Sequence, residues 1–206
     1  QKGLFTQFEY TIDRLSAFLS GSLSHTTYWK NDRLYHSGDK SRSKNANYWG
    51  GTLKAGANYN INSNHNVYLN GGFISRAPYF KSGAFMSATS SNVINDMAEN
   101  EKSATLELGY AYHNEYIGVG VNGYLTEWID KSMTKKGKIV EQYYINMTGV
   151  NSRHMGLEFE LKARPARWVE LNAMLSLGDW KWTSDKVKGY AYNLSSQAVT
   201  PEGEIT

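Results

Sequence analysis

Between Ser152 and Trp182 every second residue is apolar through two long runs, and this period constrains the chain more than any other feature. In the first run Met155, Leu157, Phe159, Leu161 and Ala163 alternate with His154, Gly156, Glu158, Glu160 and Lys162. In the second, Val169, Leu171, Ala173, Leu175 and Leu177 take alternate places. A helix needs apolar residues three and four apart. A period of two sustained this long requires a strand with one apolar and one polar face. The stretch Arg-Pro-Ala-Arg, residues 164–167, reads as the turn between the two strands.

The same alternation recurs along the chain. Leu4, Phe8, Tyr10 and Ile12 alternate with Gln7, Glu9 and Thr11, with Phe5 as the exception. Leu15, Ala17, Leu19, Gly21 and Leu23 form a second face, Leu53, Ala55, Ala57, Tyr59 and Ile61 a third, and Val67, Leu69, Gly71 and Phe73 a fourth. Ala104, Leu106, Leu108, Tyr110 and Tyr112 follow, then Ile117, Val119, Val121 and Leu125. The expected fold is all-β: an antiparallel up-and-down meander of about eight long strands in four hairpins. Short turns fall near 13, 62–65, 113–115 and 164–167. Long polar connections fall near 30–48, 76–101, 130–151 and 183–206, and the segment IVEQYYINM inside the third alternates weakly, enough to lengthen a strand. The tail from Thr183 is expected to have no partner strand. Short and long connections in strict alternation match outer-membrane barrels, whose periplasmic turns are short and extracellular loops long.

Composition narrows the classes. The chain has 206 residues with 15 Tyr, 6 Trp, 7 Phe and 19 Gly but 3 Pro, which favours strands joined by polar loops. A net charge of +3 gives no case for nucleic acid. There is no cysteine, hence no disulfide or thiolate site. No apolar run reaches the length of a membrane helix. The start QKGLFTQFEY lacks a basic segment followed by an apolar one, which reads as a cytoplasmic protein or as a mature or internal piece of a longer chain. No G-x-S-x-G, H-E-x-x-H or phosphate-binding glycine loop is present, so no enzyme, metal site or cofactor is expected. Asp96, Glu99 and Glu101 are a weak candidate for a cation in the second long connection. Glu158 and Glu160, on one face with His154 and Lys162, could form an acid–base pair, but a charge network lining a wet interior is the more economical reading.

Aromatic placement supports a membrane. Trp29, Trp49, Trp128, Trp180 and Trp182 lie at strand ends beside long connections, while Tyr10, Tyr59, Tyr112, Tyr116 and Trp168 lie near short turns. Two aromatic belts around an apolar band are the signature of rings seated at lipid headgroups, and Trp128, Trp168, Trp180 and Trp182 are taken as interface aromatics. In lipid every backbone polar group must pair, so such a sheet closes on itself or forms an arc of a larger barrel.

Three stretches carry a family resemblance. GGFISRAPYF (71–80) joins an aromatic strand end to Arg-Ala-Pro, NEKSATLELGY (100–110) opens the next strand, and INMTGVNSRHMGLEFEL (145–161) runs from an Asn/Gly loop into a Glu-bearing strand. Together they resemble the C-terminal barrel portion of TonB-dependent outer-membrane receptors of Bacteroides type. The resemblance implies an arc of a 22-stranded transmembrane barrel in the bacterial outer membrane, with lipid, TonB, a plug domain and a small-molecule or glycan substrate (siderophore, cobalamin or glycan) as partners. The plug and the terminal aromatic strand of that family have no counterpart in these residues, so the chain is expected to be an internal fragment of such a barrel. The resemblance also implies recognition through extracellular loops, where Trp29, Lys30, Arg33, Tyr35, Trp49, Tyr79, Phe80, Lys81, Tyr143 and Tyr144 are the candidates. Aromatics beside Lys or Arg suit sugars and anionic chelates alike. The alternatives are a self-contained eight-stranded barrel of structural or adhesive role, and a soluble β-sandwich that binds carbohydrate.

Overall fold

The computed structural model describes residues 1–34, 36–86, 91–136, 143–193 and 203–205. The eight long strands are β1 (Lys2–Ile12), β2 (Leu15–Tyr28), β3 (Ala46–Asn60), β4 (His65–Arg76), β5 (Glu101–His113), β6 (Ile117–Lys136), β7 (Tyr143–Ala166) and β8 (Val169–Trp182). Two short ones follow, β9 (Val187–Asn193) and β10 (Gly203–Ile205). All belong to one antiparallel sheet in which each long strand pairs with its neighbour in sequence. β1 pairs only with β2 and β8 only with β7, so the free side of each is open among the described residues.

The register shows why period two governs. One row of directly paired residues reads Ala17, Ala57, Leu69, Leu108, Gly123, Leu157, Leu177, and a second reads Leu15, Tyr59, Val67, Tyr110, Val121, Phe159, Leu175. Each strand places its apolar set on the same face, and a slip of one residue anywhere would break the row. That face is open: Leu53, Leu69, Leu108, Leu157 and Leu175 are all exposed. On β5 the apolar face runs from Ala104 to Tyr112. At about 3.4 Å per residue this covers roughly 27 Å along the strand and, at a tilt near 40°, about 21 Å of height. This approaches the hydrocarbon band of an outer membrane.

The opposite face is polar, and three aromatics cross it in one manner. Phe18 is paired with Gly56, Tyr68 with Gly109 and Tyr124 with Gly156. A Cβ built on any of these glycines would fall 2.1–3.0 Å from the ring lying over it. Without a side chain on the middle strand, the ring lies flat and reaches the strand beyond. The Tyr68 hydroxyl donates to Asn122 Oδ1 at 3.2 Å, and the Tyr124 hydroxyl accepts from Trp180 Nε1 at 3.0 Å. Gly109→Val is therefore expected to lift Tyr68 off the sheet and to cost about 1–3 kcal/mol through overpacking. A lowered unfolding midpoint in lipid vesicles, with loss of the Tyr68–Asn122 contact, checks this.

The sequence reading needs three corrections. The third long connection is mostly strand: β6 runs on to Lys136 and β7 begins at Tyr143, so the two pair well beyond the apolar band. Of the segment IVEQYYINM, Tyr143 to Met147 belong to this extension and residues 139–142 lie outside the described residues; the extension carries one extra residue on each strand, near Asp130 (φ 57°) and Gly149 (φ 77°). The tail does find a partner. Because β7 outlasts β8, β9 continues in line with β8 and pairs Lys188 with Thr148 and Asn193 with Tyr143, and β10 folds back on β9. The fourth turn is Arg167-Trp168 instead of 164–167, and Pro165, which has no N–H to donate, sits inside β7 at a register shift.

Candidate functional site

The described part of the second long connection does not stand away from the sheet. From Ala77 it forms one π-helical turn, Phe80–Ala84, and packs on the polar face at the end away from the short turns. Here lies most of the closely packed interior of the described residues. Phe85 and Ala84 are 0% exposed and Asn95 is 1% exposed, and Val150, Ser152, Thr148 and Asn146 of β7 are buried as well. Phe80 packs edge-on between Tyr28 (centroids 5.7 Å apart) and Phe85 (5.4 Å), and Tyr28 in turn meets Tyr48 at 5.9 Å. The Lys30 ammonium lies 5.0 Å over the Phe85 ring. Burial there pushes the Lys30 ammonium below its usual range, opposed by the Asp32 carboxylate.

Polar groups hold this segment in place. Arg76, at the end of β4, donates from Nη2 (2.9 Å) and Nε (3.2 Å) to Glu101 Oε2, at the start of β5. Glu101 is 2% exposed, and its Oε1 accepts the Ser132 backbone N–H at 3.1 Å, tying β6 to the pair. The same guanidinium lies 4.6 Å over the Tyr79 ring and donates to the Tyr79 hydroxyl. Asn146 donates to the carbonyls of Phe85 and Met86, and Asn92 to those of Lys40 and Ser41, which joins the second connection to the first. Asn100 bonds the Trp49 carbonyl and Ser75.

The three stretches that carried the resemblance thus meet in space. Arg76 comes from GGFISRAPYF, Asn100 and Glu101 from NEKSATLELGY, and Asn146 from INMTGVNSRHM. They seat one folded segment over the polar face, and that cooperation explains residues which look unrelated along the chain.

The sequence candidates scatter around this seat. Trp29 is half exposed with the Arg42 guanidinium 4.4 Å over its ring, and Tyr79 is similarly exposed above Arg76. Lys30 and Phe80 belong to the packed cluster, while Arg33 and Lys81 are exposed. Tyr35 and the side chains of Tyr143 and Tyr144 lie outside the described residues. Trp49 belongs elsewhere: it pairs with His25 on the apolar face, centroids 4.7 Å apart, within strand β3 and not in a loop. The reverse holds for three interface candidates. Trp128 pairs with Ser152 and Trp182 with Ser152, and Trp180 stacks on His154, all on the polar face. Trp168 sits in the last turn, where its ring is open to the surroundings. Near the short turns Tyr10, Tyr59, Tyr110 and Tyr112 do occupy the apolar face.

Asp96, Glu99 and Glu101 do not converge. Glu101 is taken by Arg76, and Glu99 bonds Lys102 at 3.3 Å. Among the described residues no three of His, Asp and Glu form a ligand set. Glu158 and Glu160 face the Tyr68 hydroxyl together with Glu107, on the polar face at mid-height, with Glu158 opposite Asn122. They line one stretch of the polar face, three carboxylates around one hydroxyl. The sequence reading missed Tyr28, Tyr48, Phe85, Arg76 and Asn146. Arg76 alone carried a signal, as the only charged residue in GGFISRAPYF.

Comparison with known proteins agrees with this geometry. A family model described as TonB dependent receptor-like, beta-barrel matches residues 1–204. No curated protein matches. Among solved structures, one titled copper transporter OprC superposes with a TM-score of 0.71 at 14% sequence identity. The match covers 92% of this chain and 31% of that one, so this chain spans about a third of that transporter's length. At that identity the likeness shows the fold.

Proposed function

The chain belongs to the TonB-dependent receptor-like β-barrel family, and on that premise we propose that it forms part of the barrel wall of an outer-membrane receptor that imports a scarce nutrient. In this reading the apolar face meets lipid, the polar face lines the lumen, the short turns face the periplasm and the long connections face outward. TonB and a plug domain supply the energy coupling and the gate, and the wall itself does no chemistry.

The observation that carries the reading is the seat built from all three motif stretches. A connecting loop free in solvent would leave Phe85 and Glu101 exposed. Here both are buried, and in this reading residues 77–86 and 91–100 lie over the lumen, with Trp29, Tyr79 and Lys81 toward the outside. Aromatic faces beside Arg42 and Arg76 suit a sugar ring or an anionic chelate, and the substrate class proposed is a siderophore, cobalamin or glycan.

Trp29→Ala combined with Tyr79→Ala in the receptor, assayed in outer-membrane vesicles, tests this. Binding of the substrate found by screening those three classes is expected to weaken at least about tenfold, the loss of roughly 1.4 kcal/mol of stacking, with receptor abundance unchanged. Unchanged affinity would remove these two rings from recognition. Uptake that persists without TonB would overturn the transport reading.

A further inference from the structure

Trp180 and Trp182 stand on the polar face of β8, at the end beside the long connections. The packed second connection sits over β6 and β7, where Ser82 reaches the Ser132 carbonyl and Asn146 reaches that of Phe85. It leaves the two β8 rings open, 66% and 61% exposed. Trp180 is held in place all the same. Its Nε1 donates to the Tyr124 hydroxyl at 3.0 Å, across a row that reads Tyr124, Gly156, Gly178. Both glycines make room for this. A Cβ on Gly156 would fall 2.8 Å from the Tyr124 hydroxyl, and one on Gly178 would fall 2.8 Å from Trp180 Nε1. The His154 ring, directly paired with Trp180, lies 5.6 Å away with 30° between the planes. An indole that is fixed yet uncovered has given up side-chain freedom without gaining burial. It is a preformed contact surface for something outside the sheet.

We infer that Trp180 and Trp182 form a stacking subsite for a neutral oligosaccharide, so that the imported nutrient is a glycan and the β8 wall takes part in its recognition. The inference rests on the proposed function, which turns this face to the lumen of an importer. Ring chemistry and charge choose the occupant. The C–H groups on one face of a sugar ring carry partial positive charge and meet the negative face of the indole. Trp182 follows Trp180 by two residues, about 7 Å along the strand, so a chain of two or more sugar units is needed to meet both rings. The charged groups nearest in register are carboxylates: Glu107 is paired with Tyr124, and Glu158 stands one row below. Carboxylates accept from sugar hydroxyls and repel an anionic chelate. Cations of this face stand farther off. Lys131 covers the Trp128 ring, Lys188 lies on β9, and Lys162 lies toward the last turn.

The test uses the full-length receptor purified in mild detergent and a panel of neutral gluco-, manno-, xylo- and fructo-oligosaccharides. Oligogalacturonate, a ferric catecholate and cobalamin are measured beside them. Binding is read by calorimetry and by tryptophan fluorescence. One neutral oligosaccharide is expected to bind and to shift the fluorescence, and its monosaccharide to bind more weakly. Trp180→Ala with Trp182→Ala is expected to weaken binding at least about tenfold. Gly178→Val, which displaces the Trp180 ring but keeps both tryptophans, is expected to weaken it severalfold, and Trp168→Ala in the last turn to leave it unchanged. Equal affinity in the double variant overturns the inference. So does a panel with no neutral binder, or tighter binding of oligogalacturonate, the catecholate or cobalamin. Uptake by whole cells separates the two readings. TonB-dependent uptake of a chelate or of cobalamin, indifferent to both tryptophans, sinks the inference and leaves the import reading standing. TonB-independent passage of a glycan that needs them sinks the import reading and leaves the subsite.

Discussion

Arg76→Ala is expected to release the folded segment from the sheet. Glu101 would keep its charge in a site 2% exposed with its main partner gone. Removing one partner of a buried pair costs about 3–5 kcal/mol. Because the Arg76 side chain is 44% exposed, water screens part of this, and the lower end applies. A loss of about 3 kcal/mol speeds local opening by roughly two orders of magnitude. Amide hydrogen exchange at Ser82, Gly83 and Ala84, whose N–H groups all bond the Tyr79 carbonyl, should rise about a hundredfold while β3–β5 stay protected. Adding Glu101→Gln to Arg76→Ala removes the orphaned charge but keeps an acceptor for the Ser132 N–H, so much of the protection should return. Exchange unchanged in the single variant would mean that Phe85 and Asn146 hold the segment without the ion pair.

Leu157→Arg is expected to hinder insertion, and Ser176→Arg is not. Leu157 lies in the middle of the apolar rows. An arginine on the lipid face at mid-height costs about 2–4 kcal/mol. Ser176 is paired with Glu158 on the polar face, where a cation meets a carboxylate and water. Urea titration of the receptor in lipid vesicles should show the first variant destabilised by that amount and the second within about 0.5 kcal/mol of wild type. Equal effects on the two faces would sink the assignment of lipid to one side and lumen to the other.

Much of the site was hidden for one reason: its contacts are distant in sequence. Arg76 and Glu101 are 25 residues apart, and Phe85 meets Asn146 across 61. Phe85 lies outside every alternating run, so no periodicity marks it as buried. The misplaced tryptophans are a different case. Trp180 and Trp182 share the phase of Asn172 and Ser176, so the strand period already puts them on the polar face. Distance from a long connection is a poorer guide than phase, because aromatics of both faces lie at strand ends. Trp49, in phase with Leu53 and Ala55, obeys the same rule in the other direction.

The sequence by itself determined the faces and the strand order, and it placed three of the four short turns. Alternation is enforced residue by residue by the pleat, and turns such as Asp13-Arg14, where Asp13 adopts φ 47°, are set by their own few residues. The tertiary structure alone decided where the strands stop and what the long connections do. β6 and β7 extend past the apolar band because each finds a partner in the other and an interior to cover, supplied by a segment that begins at Ala77. β9 exists because β7 leaves an edge above β8. Length and burial at that end depend on which groups arrive from elsewhere to satisfy a backbone N–H or enclose a ring, and no local pattern encodes that arrival.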